Sequence, residues 1–340
     1  MNWLKPEHWH QIIAIDAHTG GEPLRIYTEG YPEPPGSTIL AKRRYALENL
    51  DYLRTATMWE PRGHADMYGC LITKPVTTDG DFGVLFLHNE GYSSMCGHGI
   101  IAVTKVALET GLIRKQGDHQ QVRIDTPAGR VTATARWEGD QVIEVSFLNV
   151  PSFVYLLDRF VYVPGLGEVQ FDIAFGGAFY AFVDAESVNV ELTAAGFRKL
   201  IELGILIKQT IMENHEIKHP FEDDLGFLYG VIFVGAAHDP GHHSRNVCVF
   251  ADGEVDRSPT GTGVSARTAL HFARGEISLG QPFVVESILG TCFSGEAVEK
   301  SVFGSYEAVI PKITGSAHIC GINTLLIDPD DPLRYGFILR

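Results

Sequence analysis

The sequence is short of the features that mark several large functional classes. It carries 27 Lys and Arg against 42 Asp and Glu over 340 residues, a formal net charge of −15. A chain so poor in cations is not expected to grip a nucleic-acid backbone or an anionic membrane, both of which need clustered Lys and Arg. No apolar run approaches the ~20 residues that cross a bilayer; GVIFVG and GILI are among the longest. The opening MNWLKPEHWHQIIAID has no apolar core of signal-peptide length. Five cysteines (Cys70, Cys96, Cys248, Cys292 and Cys320) are scattered without a CxxC pair, so no disulfide framework is expected. These absences together lead us to expect a cytoplasmic, thiol-reduced protein without a membrane or nucleic-acid partner.

What the chain does have is ample material for packed cores, with 45% hydrophobic and 20% charged residues. Its length exceeds what one hydrophobic core usually fills, so two domains are expected. Most of it reads as short strands broken by Gly, Pro and Asp. VRIDTPAGRVTATARW is a hairpin turning at Pro127 to Gly129, followed by QVIEVSFLNV, FYAFVDA, FLYGVIFVG, NVCVFA and PFVVESILG. Helices are fewer, with one expected over 37–57 and a long one over 192–214.

An internal repeat organises the rest. CGHGIIAVTKVALETG (Cys96 to Gly111) and TGTGVSARTALHFARG (Thr260 to Gly275), 164 positions apart, share five of sixteen residues. Each reads as a Gly-rich turn, a helix of about three turns and a Gly suited to a left-handed C-terminal cap. The first helix is apolar on nearly every side and should be buried. An α/β (α+β) fold of two pseudo-symmetric halves follows, each with strands around a central helix. We expect the first half over 1–139 plus about 321–340, the second over 140–320, and a cleft between them.

The chemistry expected at the two helix starts comes from unpaired backbone N–H groups and the positive end of the helix dipole, which hold anions. Gly97, Gly99, Gly261 and Gly263 leave those amides unobstructed for a ligand. Two such ends facing each other suit one small carboxylate. A phosphate is the competing ligand, but neither stretch carries the GxxxxGK[ST] pattern. Cys96 sits where a thiol pKa should be lowered. Thr260 holds the equivalent place with an alcohol, so the site has one base instead of two. Cys96 and His98 are too few to hold a metal, and the His242-His243 pair reads as a polar loop, so no metal is expected. Asp256 either caps the turn before Pro259 or meets a substrate amine. The other four cysteines are read as structural.

The motifs MCGHG (Met95 to Gly99) and DRSPTGTG (Asp256 to Gly263), with DAHTGGEPLR (Asp16 to Arg25), EPRGH (Glu60 to His64) and AFGGAFYA (Ala174 to Ala181), closely resemble the proline racemase family. The likeness runs from about residue 13 to the C-terminus. It implies a diaminopimelate epimerase-like fold with the active site between two α/β halves, a monomer or homodimer, and no cofactor. Carried over by position, Cys96 matches the first catalytic thiol of the family and Thr260 the site of its second. His98 and Asp256 match residues that contact the substrate ring nitrogen. The amides of Gly97, His98, Gly261 and Thr262 match those that bind its carboxylate, and His18 with HTGG is read as pocket-forming. Threonine at 260 is the mark of the trans-3-hydroxy-L-proline dehydratase subgroup. The implied reaction is a hydro-lyase step of hydroxyproline catabolism that yields Δ1-pyrroline-2-carboxylate. The alternatives are a 4-hydroxyproline epimerase, a proline racemase, or a non-catalytic imino-acid sensor.

Overall fold

Period-two alternation punctuated by glycine dominates the chain, and it folds accordingly into strands wrapped around two buried helices. The computed structural model describes residues 3–114 and 116–339. The first run comprises β1 (His10–Thr19), β2 (Glu22–Glu29), α1 (Ile39–Asn49), α2 (Asp51–Met58), β3 (Gly69–Thr73), β4 (Phe82–Leu87), β5 (Tyr92–Ser93), α3 (Gly97–Glu109), β6 (His119–Thr126), β7 (Gly129–Glu138) and β8 (Gln141–Leu148). The second comprises β9 (Ser152–Val163), β10 (Gly167–Phe175), β11 (Phe179–Asp184), α4 (Phe197–Asn214), β12 (Leu228–Gly235), β13 (Ser244–Phe250), β14 (Glu254–Val255), α5 (Gly261–Ala273), β15 (Pro282–Glu286), β16 (Cys292–Phe303), β17 (Tyr306–Gly315) and β18 (Ala317–Ile327).

All the strands belong to one hydrogen-bonded sheet that curls twice. In the second run β9, β10, β11, β12, β13, β15, β16 and β17 pair in that order, and β17 returns to β9. This closed ring surrounds α5. Around α3, β18 joins the strands of the first run, so that β18, β1, β2, β3, β4, β6, β7 and β8 pair in succession. The two curls join where β17 pairs with β8 as well as with β9. Assigning each strand to the helix it covers, we propose that the halves change over at 149–151 and at Ser316. The expected divisions at 139/140 and 320/321 fall in the β7–β8 turn and inside β18. Nothing in a strand's own composition says which helix it will cover.

The two central helices are buried, α3 because its sequence leaves almost no polar face and α5 with Thr262, Ser265, Arg267 and Thr268 carried into the interior. Every residue of α3 from Gly97 to Leu108 is buried, and α5 is buried from Gly261 to Leu270. Each large apolar side chain so placed contributes ~1.5–3 kcal/mol of transfer free energy. By contrast α4 lies outside its ring and buries only the stripe Leu200, Leu203, Gly204, Ile207, Thr210 and Ile211. The helix expected over 37–57 is two helices. Leu50, at φ −122° and ψ 5°, breaks it so that each part turns its own apolar side toward the sheet. The long helix begins at Phe197, after a single tight turn at Ala194–Gly196. Among the described residues no helix is long and apolar enough to cross a membrane.

Candidate active site

The two helix starts meet head to head. A Cβ added to Gly97 would lie 2.5 Å from the Gly261 Cα, and one added to Gly261 would lie 2.8 Å from the Gly97 Cα. Gly97 and Gly261 therefore serve the approach of α3 to α5, a duty beyond the expected clearing of space for a ligand. Gly99 has a similar duty. A Cβ there would stand 2.9 Å from the Cys96 Sγ, where the sulfur caps the helix.

The caps themselves differ. Cys96 has extended backbone (φ −145°, ψ 111°), and its Sγ accepts the Gly99 N–H at 3.2 Å. Thr260 has φ +66° and ψ 90° and makes no side-chain cap. That conformation is strained for a β-branched residue and is held by a short polar chain. The Thr260 N–H donates to Ser258 Oγ at 3.1 Å, and the Ser258 N–H donates to Asp256 Oδ1 at 2.7 Å. Asn246 Nδ2 donates to the Pro259 carbonyl at 3.2 Å. Thr260 Oγ1 is left buried without a hydrogen-bond partner, although the Cys248 thiol is close enough to feel it.

Around this junction lies a small cavity. Cys96, Gly97, His98, Asp256, Thr260, Gly261 and Thr262 all line it. Asp256 caps its turn with one oxygen, as one of the two expectations had it, and it also lines the cavity. His18 does not line the cavity; its ring packs on His318, with centroids 5.2 Å apart, and its Nδ1 accepts the Gly21 N–H. The rest of the wall is Met95, Tyr68, Tyr180, Tyr229 and Phe250. Sequence reasoning missed these residues as site residues. Met95 and Tyr180 lay in quoted motifs, MCGHG and AFGGAFYA, without being singled out; the others look like ordinary apolar positions beside or within strands.

Electrostatics at the site are governed by burial. Cys96 Sγ is 3.2 Å from His98 Nδ1. Burial pushes the Cys96 thiol well above the ordinary range; the Gly99 N–H and the Tyr68 side chain oppose this, and the charges of Asp256 and Glu22 reinforce it. This reverses the expected lowering. A helix end supplies roughly half a positive charge, too little to offset desolvation of a thiolate between carboxylates. Burial also lowers the His98 pKa, while Asp256 and a hydrogen bond to the Pro23 carbonyl pull the other way. The ring is therefore neutral and oriented, with a nitrogen available to the sulfur. Burial and then Asp256 raise Glu22, whose Oε2 accepts the Arg257 N–H at 2.7 Å. Away from the site, His242 pairs with Glu286 and His243 with Ser244 Oγ, each at 3.0 Å. All five cysteines are free thiols. The arrangement can hold a small zwitterion, with its carboxylate at the helix ends and its cationic nitrogen near Asp256, and can move a proton at one sulfur.

The proline racemase family profile matches residues 14–338. A trans-3-hydroxy-L-proline dehydratase of Colwellia psychrerythraea is 52% identical over 337 residues, covering 99% of this chain and 95% of the relative. One of the same name from Bacillus cereus is 50% identical, covering 96% and 97%. A crystal structure of a hydroxyproline epimerase from Agrobacterium vitis, with bound trans-4-hydroxy-L-proline, superposes with a TM-score of 0.94 at 31% identity, covering 98% and 96% of the two chains.

Proposed function

The chain belongs to the proline racemase family, and from that premise we propose that it dehydrates trans-3-hydroxy-L-proline to Δ1-pyrroline-2-carboxylate. It is a hydro-lyase, and the observation that carries the reading is the pairing of one thiol with one alcohol, Cys96 and Thr260, across the meeting point of α3 and α5. In the trans-3-hydroxy substrate the carboxylate and the hydroxyl lie on opposite ring faces, so the α-hydrogen and the hydroxyl share a face. A syn elimination needs its groups on one wall only.

The carboxylate takes the amides of Gly97, His98, Gly261 and Thr262, where two helix ends stabilise the charge that grows on it. The ring nitrogen sits between His98 and Asp256. Its positive charge cancels that of Asp256, one of the influences that raise the Cys96 thiol. His98 Nδ1, 3.2 Å from the sulfur, is placed to receive the thiol proton. The thiolate then removes the α-proton, the 3-hydroxyl leaves, and the enamine tautomerises to the cyclic imine. Thr260 binds without ionising. No cofactor takes part in this scheme. We infer a cytoplasmic enzyme, monomer or homodimer, a compartment supported by five unbridged thiols.

The test is incubation with trans-3-hydroxy-L-proline, trans-4-hydroxy-L-proline and L-proline in turn, followed by NMR in heavy water. Loss of water from the first, without inversion of the other two, is expected. Brisk inversion with the 3-hydroxylated ring untouched would replace this reading by an epimerase or racemase.

A further inference from the structure

We infer that Tyr68 is the general acid that protonates the departing hydroxyl, an assignment that rests on the dehydratase reading. The elimination needs a proton donor on the same wall as Cys96, and the cavity offers three phenols. Tyr180 belongs to the opposite wall, where its hydroxyl is bonded to Thr262 Oγ1 at 2.7 Å, on α5. Tyr229 lies on β12 of the second half and reaches the site through Tyr68, its hydroxyl 3.3 Å from that of Tyr68. Tyr68 stands immediately before β3, is 2% exposed, lines the cavity, and is near enough to Cys96 to favour the thiolate. Its ring meets that of His98 edge-on, with centroids 4.8 Å apart.

The surroundings of Tyr68 suit a donor. Its hydroxyl is 2.8 Å from Ser93 Oγ and 3.3 Å from the Tyr229 hydroxyl, and where these donate to the phenolic oxygen the Tyr68 proton is left for the substrate. His98 is a poorer candidate, because its Nδ1 faces the Cys96 sulfur and its other nitrogen is committed to the Pro23 carbonyl, so neither points to the leaving group.

The proton count closes. The Cys96 thiolate takes the α-proton, and the C–H electron pair forms the C2=C3 double bond. The C3–O bond breaks with its pair on oxygen, which takes the phenolic proton and leaves as water. The resulting tyrosinate then takes the proton held by Cys96, and both groups return to their starting states.

A chloride leaving group requires no proton, so trans-3-chloro-L-proline separates acid catalysis from architecture. Tyr68→Phe should lower kcat for trans-3-hydroxy-L-proline by ~100-fold or more, while elimination from the chloro analogue and α-deuterium exchange into L-proline, which lose only the Tyr68 contact that favours the thiolate, fall by less than about tenfold. Equal losses on both leaving groups, or a loss under about tenfold on the hydroxy substrate, would overturn the assignment. Should the variant not fold, the parent enzyme decides it. A solvent deuterium isotope effect on kcat larger for the hydroxy substrate than for the chloro analogue is expected, and equal effects on both refute the idea. A parent enzyme that leaves trans-3-hydroxy-L-proline unchanged would instead defeat the dehydratase reading, and the inference with it.

Discussion

Cys96 and Thr260 begin helices of matching layout, yet they stand in different backbone conformations and different hydrogen-bonding states. Cys96 is extended and turns its sulfur over its own helix end; Thr260 is left-handed, with a hydroxyl that caps nothing. The asymmetry between the walls is therefore double. One wall carries an ionisable atom already engaged with His98 and Gly99, and the other an alcohol on backbone held by the Ser258 and Asn246 contacts. A change of residue at 260 alone does not make the walls equivalent.

The strongest break of that comparison is Cys96→Ser. With no group left that ionises near neutrality, turnover should fall by ~1,000-fold or more, measured as imine formation; near-normal rates would end the one-base account. Next comes Gly97→Ala. The new methyl must displace the Gly261 backbone, so stability should drop by ~1–3 kcal/mol in urea unfolding. A shift of about 1 Å between the walls should cut kcat/KM ~100-fold.

The pH response should differ in sign between stability and activity. The folded protein holds the Cys96 proton more tightly than the unfolded chain does, because burial raises this thiol. Stability from this group is thus present below the unfolded thiol pKa of ~8.5 and is lost as pH rises through it, while activity climbs as thiolate forms. Cys70 and Cys248 are raised by the same cause, so the share of Cys96 is the difference between parent and Cys96→Ala melting curves. On the acid side, burial lowers His88, and it lowers His219 to about 4. Their contribution is present above ~6.5 and drains away as pH falls below it. A melting temperature flat from pH 7 to pH 5 would contradict this.

The smallest effect sharpens the comparison without breaking it. Thr260→Cys should yield only slow α-deuterium exchange from the second face, since a thiol in that buried, uncapped place lacks the amide that Cys96 enjoys. Chiral chromatography of L-proline after long incubation reads it out, and rapid racemisation would mean that the backbone difference is immaterial.

Much of this site was legible because its signals are local. A cap residue, a pair of glycines and an apolar helix fit within a few consecutive positions, and their repetition pointed to two halves. The aromatic wall was not legible, because Tyr68, Tyr229 and Phe250 come from separate segments and follow the same apolar pattern as residues that merely fill the core. The changeover between halves was also hidden, since β8 resembles its neighbours on either side. The direction of the Cys96 pKa went astray for a related reason. A helix start can be read along the chain, but the loss of water around it cannot.

The sequence by itself determined which atoms the two helix starts carry, a thiol and an alcohol, and that the helix behind the thiol must be buried for want of any polar side. Only the tertiary structure decided that the two starts touch through Gly97 and Gly261, that burial, reinforced by Asp256 and Glu22, raises the thiol pKa, and that a phenol stands beside it. The physical reason is range. Capping and helix propensity act over one turn of chain, whereas desolvation and proton transfer depend on distances between residues far apart in sequence, which only folding sets.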